Sequence, residues 1–197
     1  MIDLTAIAMR RAEPAMPDYG VLQTPSLGGA VTRIDRLGGG FTLQFTTPPM
    51  PIEPDARELA ADCQLGKRKG VILSVPQVDF AVGAPGSGVS VNGAHAGGES
   101  LSITGAGEHY AIRKGQALNV TRNGHPYLYY AAAAVTLNGS GAGTVLLTTP
   151  LRTQLAGGEA VELAAPKFAG WIQGEVFSLP IEENRTVTLS FDVLEAA

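Results

Sequence analysis

The chain has 197 residues, of which 45% are hydrophobic and only 16% are charged, and its formal net charge at pH 7 is −4. So few charged residues exclude a coiled coil, and an ordinary apolar fraction with a small net charge argues against disorder. The negative balance argues against nucleic acid as the main partner, because phosphate binding needs a basic surface. The 25 glycines and 13 prolines indicate instead a turn-rich chain that is long enough for a real core.

The N-terminal residues do not have the pattern of a secretory signal. Asp3 lies where such a signal is basic, and Arg10 and Arg11 follow the short apolar stretch instead of preceding it. The longest apolar run, over residues 127–135, is far shorter than the roughly 20 residues that a membrane-spanning helix needs. We therefore expect synthesis in the cytoplasm and no membrane partner. The single cysteine, Cys63, excludes an intramolecular disulfide and argues against a cysteine-held metal site.

The N-terminal segment shows little periodicity, because prolines interrupt any regular element there. It is predicted to be an extended arm or an edge segment. Two short strands are predicted next, over residues 30–36 and 40–46, with glycines between them. In the second strand, Phe41, Leu43 and Phe45 alternate with polar residues, which is typical of a half-buried strand.

One segment is predicted to be an α-helix. Pro54 stands between two acidic residues, which is typical of a helix start. Apolar residues then recur at spacings of three and four, which places them on one face: Ala56, Leu59, Ala60 and Cys63. Gly66 is predicted to close the helix, with the basic residues 67–69 near the negative end of its dipole. A buried strand over residues 71–75 follows.

Residues 83–88 form a glycine-rich linker, beyond which short strands alternate with glycine turns. The predicted strands of this middle part cover residues 100–104, 117–122, 127–137, 143–148 and 160–164. Asn123-Gly124 is the strongest hairpin signal, and Asn138-Gly139 is a second turn. So many short strands at regular spacing predict a small barrel or sandwich.

Residues 185–194 form the cleanest amphipathic strand of the chain. Its apolar face consists of Val187, Leu189, Phe191 and Val193. Such a face needs an apolar partner, which residues 41–45 offer. The chain is therefore predicted to be mainly β with one short α-helix. We expect one β-domain, residues 1–88 and 167–197, interrupted by an inserted small β-barrel, residues 89–166.

Residues typical of catalysis are few and scattered. The three histidines, His95, His109 and His125, have neither the helical spacing nor the neighbouring carboxylate cluster of a zinc site. Cys63 lies on the apolar face of the predicted helix, which favours a buried, inert thiol over a nucleophile. The glycine clusters match no phosphate-binding loop. We therefore expect no enzymatic activity, no metal ion and no cofactor.

The aromatic residues near position 130 allow two interpretations. Tyr127 and Tyr129 lie on one face of the predicted strand, and Tyr130 lies on the other. The pair Tyr127 and Tyr129 is a candidate surface for binding carbohydrate or protein. The strand alternation supports packing of that face into the core at least as well.

Short glycine-rich motifs are spread over most of the chain. They are Gly28-Gly29, residues 33–38 with Phe41, Pro48-Pro49-Met50, residues 66–70, residues 105–116, Pro150-Leu151-Arg152, residues 171–174 and residues 189–191. Together these motifs resemble the distal tail, or tail-tip, proteins of long-tailed bacteriophages and of proteobacterial prophages. Two positions differ from the family's pattern. Thr32 stands where a polar amide or acid is expected, and Phe41 stands where tryptophan is more usual.

The resemblance implies a structural protein of the virion without catalytic activity. It implies a ring, commonly a hexamer, that joins the tail tube protein to the tail hub protein, with a β-sandwich belt and an outward-facing inserted domain. A ring subunit needs exposed sheet edges and extended arms to pair with its neighbours. The candidate polar contacts at such an interface are Arg33, Arg36, Lys67, Arg68 and Lys69. An ordinary solvated basic face is the alternative.

Two other functions remain open at this point. An outward-facing barrel could bind a host-surface glycan through Tyr127 and Tyr129, alone or as part of a tail tip. A small hydrolase is the third hypothesis, and it requires His109 or His125.

Overall fold

The computed structural model describes residues 1–16, 20–26, 28–34, 40–174, 179 and 185–195. The protein is mainly β, and the described part contains one α-helix, α1 (Arg57–Lys69), which an irregular turn over Ile52–Ala56 precedes. The strands are β1 (Ile2–Asp3), β2 (Arg11–Ala15), β3 (Val21–Gln23), β4 (Thr32–Ile34), β5 (Thr42–Thr46), β6 (Met50–Pro51), β7 (Val71–Ser74), β8 (Ser90–Val91), β9 (Ser100–Thr104), β10 (Ala111–Ile112), β11 (Ala117–Arg122), β12 (His125–Tyr130), β13 (Val135–Thr136), β14 (Gly143–Leu146), β15 (Ala160–Glu162), β16 (Lys167–Ile172), β17 (Thr186–Val187) and β18 (Ser190–Glu195).

One six-stranded sheet, here called the outer sheet, has the strand order β1-β7-β16-β18-β5-β2. β1 pairs in parallel with β7, and the other neighbouring strands are antiparallel. Both edge strands therefore come from the N-terminal segment, which lies at the sheet edges as an edge segment would. Pro14 lies in β2. Because β2 is an edge strand with a neighbour on one side only, a proline without an N–H is tolerated there.

The two amphipathic strands pair with each other as their apolar faces require. β5 and β18 are antiparallel, and the rings of Phe45 and Phe191 stack with their centres 5.2 Å apart. The predicted strand 185–194 is interrupted at Leu189. There the Leu189 N–H donates to Oγ1 of Thr47 instead of to a backbone carbonyl, and the Leu189 carbonyl oxygen accepts from the Thr47 N–H. The alternation persists through the interruption, since all four residues of its apolar face are buried: Val187, Leu189, Phe191 and Val193.

The helix continues beyond its predicted end. Gly66 lies inside α1, and Gly70, with a φ of 75°, follows the last helical residue. The reason is packing, because a Cβ atom on Gly66 would lie 2.3 Å from Cγ1 of Val71. The glycine at position 66 therefore allows the helix to approach β7 closely, and the left-handed position that ends the helix comes four residues later.

The second six-stranded sheet, here called the middle sheet, has the order β12-β11-β15-β8-β9-β14. The predicted hairpin is present, because β11 and β12 pair around Asn123 and Gly124, whose φ angles are 51° and 78°. The predicted strand 127–137 is wrong in its length. After β12 the chain turns so that Ala131 bridges Leu147, which joins the ends of the two edge strands β12 and β14.

Each sheet has its own hydrophobic core. The strands of the outer sheet end at Ser74 and resume at Lys167, and those of the middle sheet lie between Ser90 and Glu162. The core of the outer sheet also includes Ala117 and Leu128 from the middle sheet. The two cores therefore adjoin, and independent folding of the middle part stays a prediction.

Candidate functional site

The last turn of α1 carries three of the basic residues that were predicted for an interface. Lys67, Arg68 and Lys69 lie at the negative end of the helix dipole. The Lys67 ammonium donates to the carbonyl oxygen of Gly174 at 2.6 Å, whereas Arg68 and Lys69 are exposed. Neither of these two exposed side chains forms an ion pair with another described residue. The helix end therefore presents two cations to solvent.

A hairpin arm, formed by residues 21–26 and 28–34, presents the other predicted region. β3 and β4 pair with each other as a two-stranded sheet, and all residues of both strands are exposed. The arm carries four large apolar side chains with 44–64% of their surface exposed: Val21, Leu22, Val31 and Ile34. Arg33 is an exposed residue of this arm, and Arg36 lies outside the described residues. The described part of the chain therefore leaves these four apolar side chains largely uncovered.

The predicted tyrosine pair does not form a surface platform. Tyr129 is completely buried, and its hydroxyl oxygen accepts a hydrogen bond from the Arg152 backbone N–H at 3.2 Å. Tyr127 is half-buried, with its ring edge against His125 at 4.5 Å between ring centres. The placement of Tyr129 on the surface is wrong because its face of β12 packs into the core of the middle sheet.

A buried ion pair joins the two sheets, and sequence reasoning missed it. The guanidinium of Arg152 binds both carboxylate oxygens of Glu195, with Nη2 at 2.8 Å from Oε1. The Glu195 side chain is completely buried, and that of Arg152 is 11% exposed. The same carboxylate accepts hydrogen bonds from the backbone N–H groups of Phe41 and Leu128, each at 2.9 Å. One carboxylate therefore binds the outer sheet and the middle part together.

Aromatic rings surround this ion pair. The Arg152 guanidinium carbon lies 5.4 Å from the ring centre of Phe41 and 5.0 Å from that of Tyr129. Tyr130 packs its ring edge-on against Phe41, and burial, with a smaller contribution from Glu195, raises the pKa of its hydroxyl to about 12. The pair is thus held in a largely apolar setting, where an unpaired charge is costly.

One sequence signal points to Glu195. In β18 the buried residues Phe191, Val193 and Glu195 alternate with residues that are exposed or half-buried, so the register places the carboxylate on the buried face. A carboxylate at such a position needs a cation. Nothing local in the sequence shows that the cation is Arg152, which is 43 residues away.

Two of the residues considered for catalysis, His109 and Cys63, lie in different surroundings. The side chains of His109 and Glu108 are both exposed, with Nε2 and Oε1 3.7 Å apart. Cys63 is buried, and burial, with a smaller contribution from the charge of Asp62, raises the pKa of its thiol to about 12. Its thiol is therefore protonated at neutral pH. Within the part of the chain that the structure describes, no three His, Cys, Asp or Glu side chains are grouped to hold a metal ion.

Over the same described ranges, no helix is long and apolar enough to cross a membrane. Comparison with protein-family models and with curated proteins found no match to this chain.

Proposed function

We propose that this chain is a structural protein of a bacteriophage tail tip, similar to the distal tail proteins, which assembles as a ring between tail tube and hub. The observation that carries the proposal is the hairpin arm. Its two strands pair with no other strand of the described chain, yet it exposes Val21, Leu22, Val31 and Ile34. A lone two-stranded hairpin is marginal in water. A second copy of the chain that covers the arm would supply the missing partner surface.

The proposed ring requires this contact to be asymmetric. The arm of one copy meets a different surface on the next copy, which makes a head-to-tail interface, and such interfaces generate closed rings when the rotation closes. The resemblance to distal tail proteins favours a closed ring, commonly of six copies, over an open filament. In this proposal the outer sheet belongs to a β-sandwich belt and the middle sheet to a small barrel that faces outward.

The buried pair Arg152 and Glu195 supports the proposal in a second way. A ring subunit must keep its parts in one orientation so that successive copies meet at the same angle. The bidentate contact, with two backbone N–H groups on the same carboxylate, joins the two sheets at a defined position. The alternative function, a carbohydrate-binding module, is weakened because Tyr129 lies in the core and leaves Tyr127 without its partner ring.

The test is the mass of the purified protein in solution, measured by light scattering over a range of concentrations, with negative-stain images of the same fractions. We expect closed rings for the wild-type chain, alone or with the tail tube protein as template. Leu22→Asp should abolish them, because it puts a charge into the covered surface. Val78→Asp is the matched control, since Val78 is 78% exposed and lies outside the arm.

Two outcomes would contradict the proposal. A wild-type chain that forms no ring under any of these conditions, with the tube protein present, refutes the ring. Rings of Leu22→Asp that match those of the wild type refute the role of the arm.

A further inference from the structure

A groove beside the first half of α1 combines an apolar floor with a negatively charged rim. Its volume is about 400 Å³. Leu4, Ile7 and Leu59 contribute to the floor, and Asp55, Glu58 and Asp62 contribute carboxylates. Ile7 and Asp62 are half-buried, and Asp55 and Glu58 are exposed, so the groove is open to a partner. None of the three carboxylates forms an ion pair with another described residue.

The opposite charge lies on the same face of the same helix. Glu58, Asp62, Leu65 and Lys69 succeed one another at spacings of three and four, which aligns them along α1. Leu65 is 36% exposed, and Lys69 lies beside the exposed Arg68. Asp62 and Lys69 are separated by seven residues, or about 10 Å along a rigid helix. The basic end of the helix therefore cannot enter the groove of its own chain.

We propose that the groove of one copy receives the basic C-terminal end of α1 from the next copy. This inference rests on the proposed ring and names a contact within it. In this contact, Leu65 and the aliphatic stem of Lys69 on one copy cover the apolar floor of the other copy's groove. The Lys69 ammonium reaches the carboxylates on the rim of that groove. Helix-dipole effects alone explain why acids begin a helix and bases end it. They explain neither the open apolar floor nor the exposed Leu65, whereas a head-to-tail contact between copies uses both.

Charge reversal tests this contact. One variant carries Asp55→Lys, Glu58→Lys and Asp62→Lys, which sets three lysines against Asp3, the other carboxylate that lines the groove, and makes the groove basic. A second variant carries Arg68→Glu and Lys69→Glu, which makes its helix end acidic. Each variant alone should self-associate at least about tenfold more weakly than the wild type, because like charges then face each other across the interface. An equimolar mixture should recover association, since each groove then meets an oppositely charged helix end.

Sedimentation velocity measures the association, and circular dichroism verifies that each variant is folded. The matched control for the second variant is Arg113→Glu with Lys114→Glu, which makes the same change in net charge as that variant at exposed residues elsewhere. The control should associate as the wild type does.

The outcomes separate this inference from the ring itself. If the wild type associates and the reversals do not weaken it, the groove contact is refuted while the ring proposal stands on another interface. Weakening without recovery in the mixture also refutes the contact, because the effect is then not one of complementary charge. If the wild type assembles only with the tube protein, the variants are compared in that mixture, and a wild type that stays monomeric there refutes both the contact and the ring.

Discussion

Replacing Arg152 by methionine tests how the two sheets are joined. Methionine keeps much of the apolar stem, but it removes the guanidinium from the completely buried carboxylate of Glu195. Removal of one partner from a buried ion pair costs about 3–5 kcal/mol of unfolding free energy. The backbone N–H groups of Phe41 and Leu128 still donate to the carboxylate, which moves the expected loss to the lower limit, about 3 kcal/mol.

Urea unfolding of Arg152→Met, Glu195→Gln and the double variant measures this loss. The double variant buries no charge, so its loss should be smaller than the sum of the single losses by about 2 kcal/mol. The control is Arg122→Met, which breaks a more exposed ion pair with Glu159 at 3.3 Å and should cost about 1 kcal/mol or less. Additive single losses, or an Arg152→Met loss no larger than the control's, would refute the reasoning.

Two further predictions concern the helix. Gly66→Ala should lower the free energy of unfolding by about 1–2 kcal/mol, because its Cβ would lie 2.3 Å from Cγ1 of Val71. Gly88→Ala, with no atom within 4 Å, should change it little in the same urea titration. The raised pKa of Cys63 means that the unfolded chain loses its thiol proton first. Stability should therefore fall between about pH 9 and pH 12, by at most about 1.4 kcal/mol per pH unit from this group. Cys63→Ala should reduce that slope, and an unchanged slope would contradict the assignment.

Local patterns predicted the strands better than they predicted contacts between distant residues. The alternation at Phe41, Leu43 and Phe45 and the Asn123-Gly124 turn depend on nearest neighbours, and the structure contains both features. The strand predicted over residues 127–137 was too long, because a continuous apolar run does not show where the chain turns to reach β14. The helix end was misplaced because glycine at position 66 serves packing against β7.

The candidate sites, too, were predictable only where the sequence signal is local. The basic end of α1 was predictable, because a run of cations beside a helix end is a local signal. The exposure of the hairpin arm was not predictable, because a strand with apolar residues is ordinarily buried. The sequence of β4 does not show that this strand pairs with β3 alone. The pair Arg152 and Glu195 needed the fold itself, which brings together two segments of unrelated pattern.

Excision of the middle part tests whether the outer sheet folds without it. The carbonyl oxygen of Pro166 accepts a hydrogen bond from the Val75 N–H at 2.8 Å, so the chain leaves and re-enters the outer sheet at neighbouring positions. Removal of residues 89–165 therefore leaves the strand order of the outer sheet unchanged. It also removes Arg152 and the Leu128 N–H, two of the groups that bind the Glu195 carboxylate.

We therefore expect the shortened chain to fold poorly with Glu195 and to fold with Glu195→Gln, as measured by circular dichroism and cooperative urea unfolding. Glutamine removes the unpaired charge and keeps an oxygen that can accept from the Phe41 N–H. Equal folding of both shortened chains would show that the ion pair does not join the two parts. Failure of both would show that the outer sheet needs the apolar contacts of Ala117 and Leu128, which lie in its core, and the division into two folding units would then be wrong.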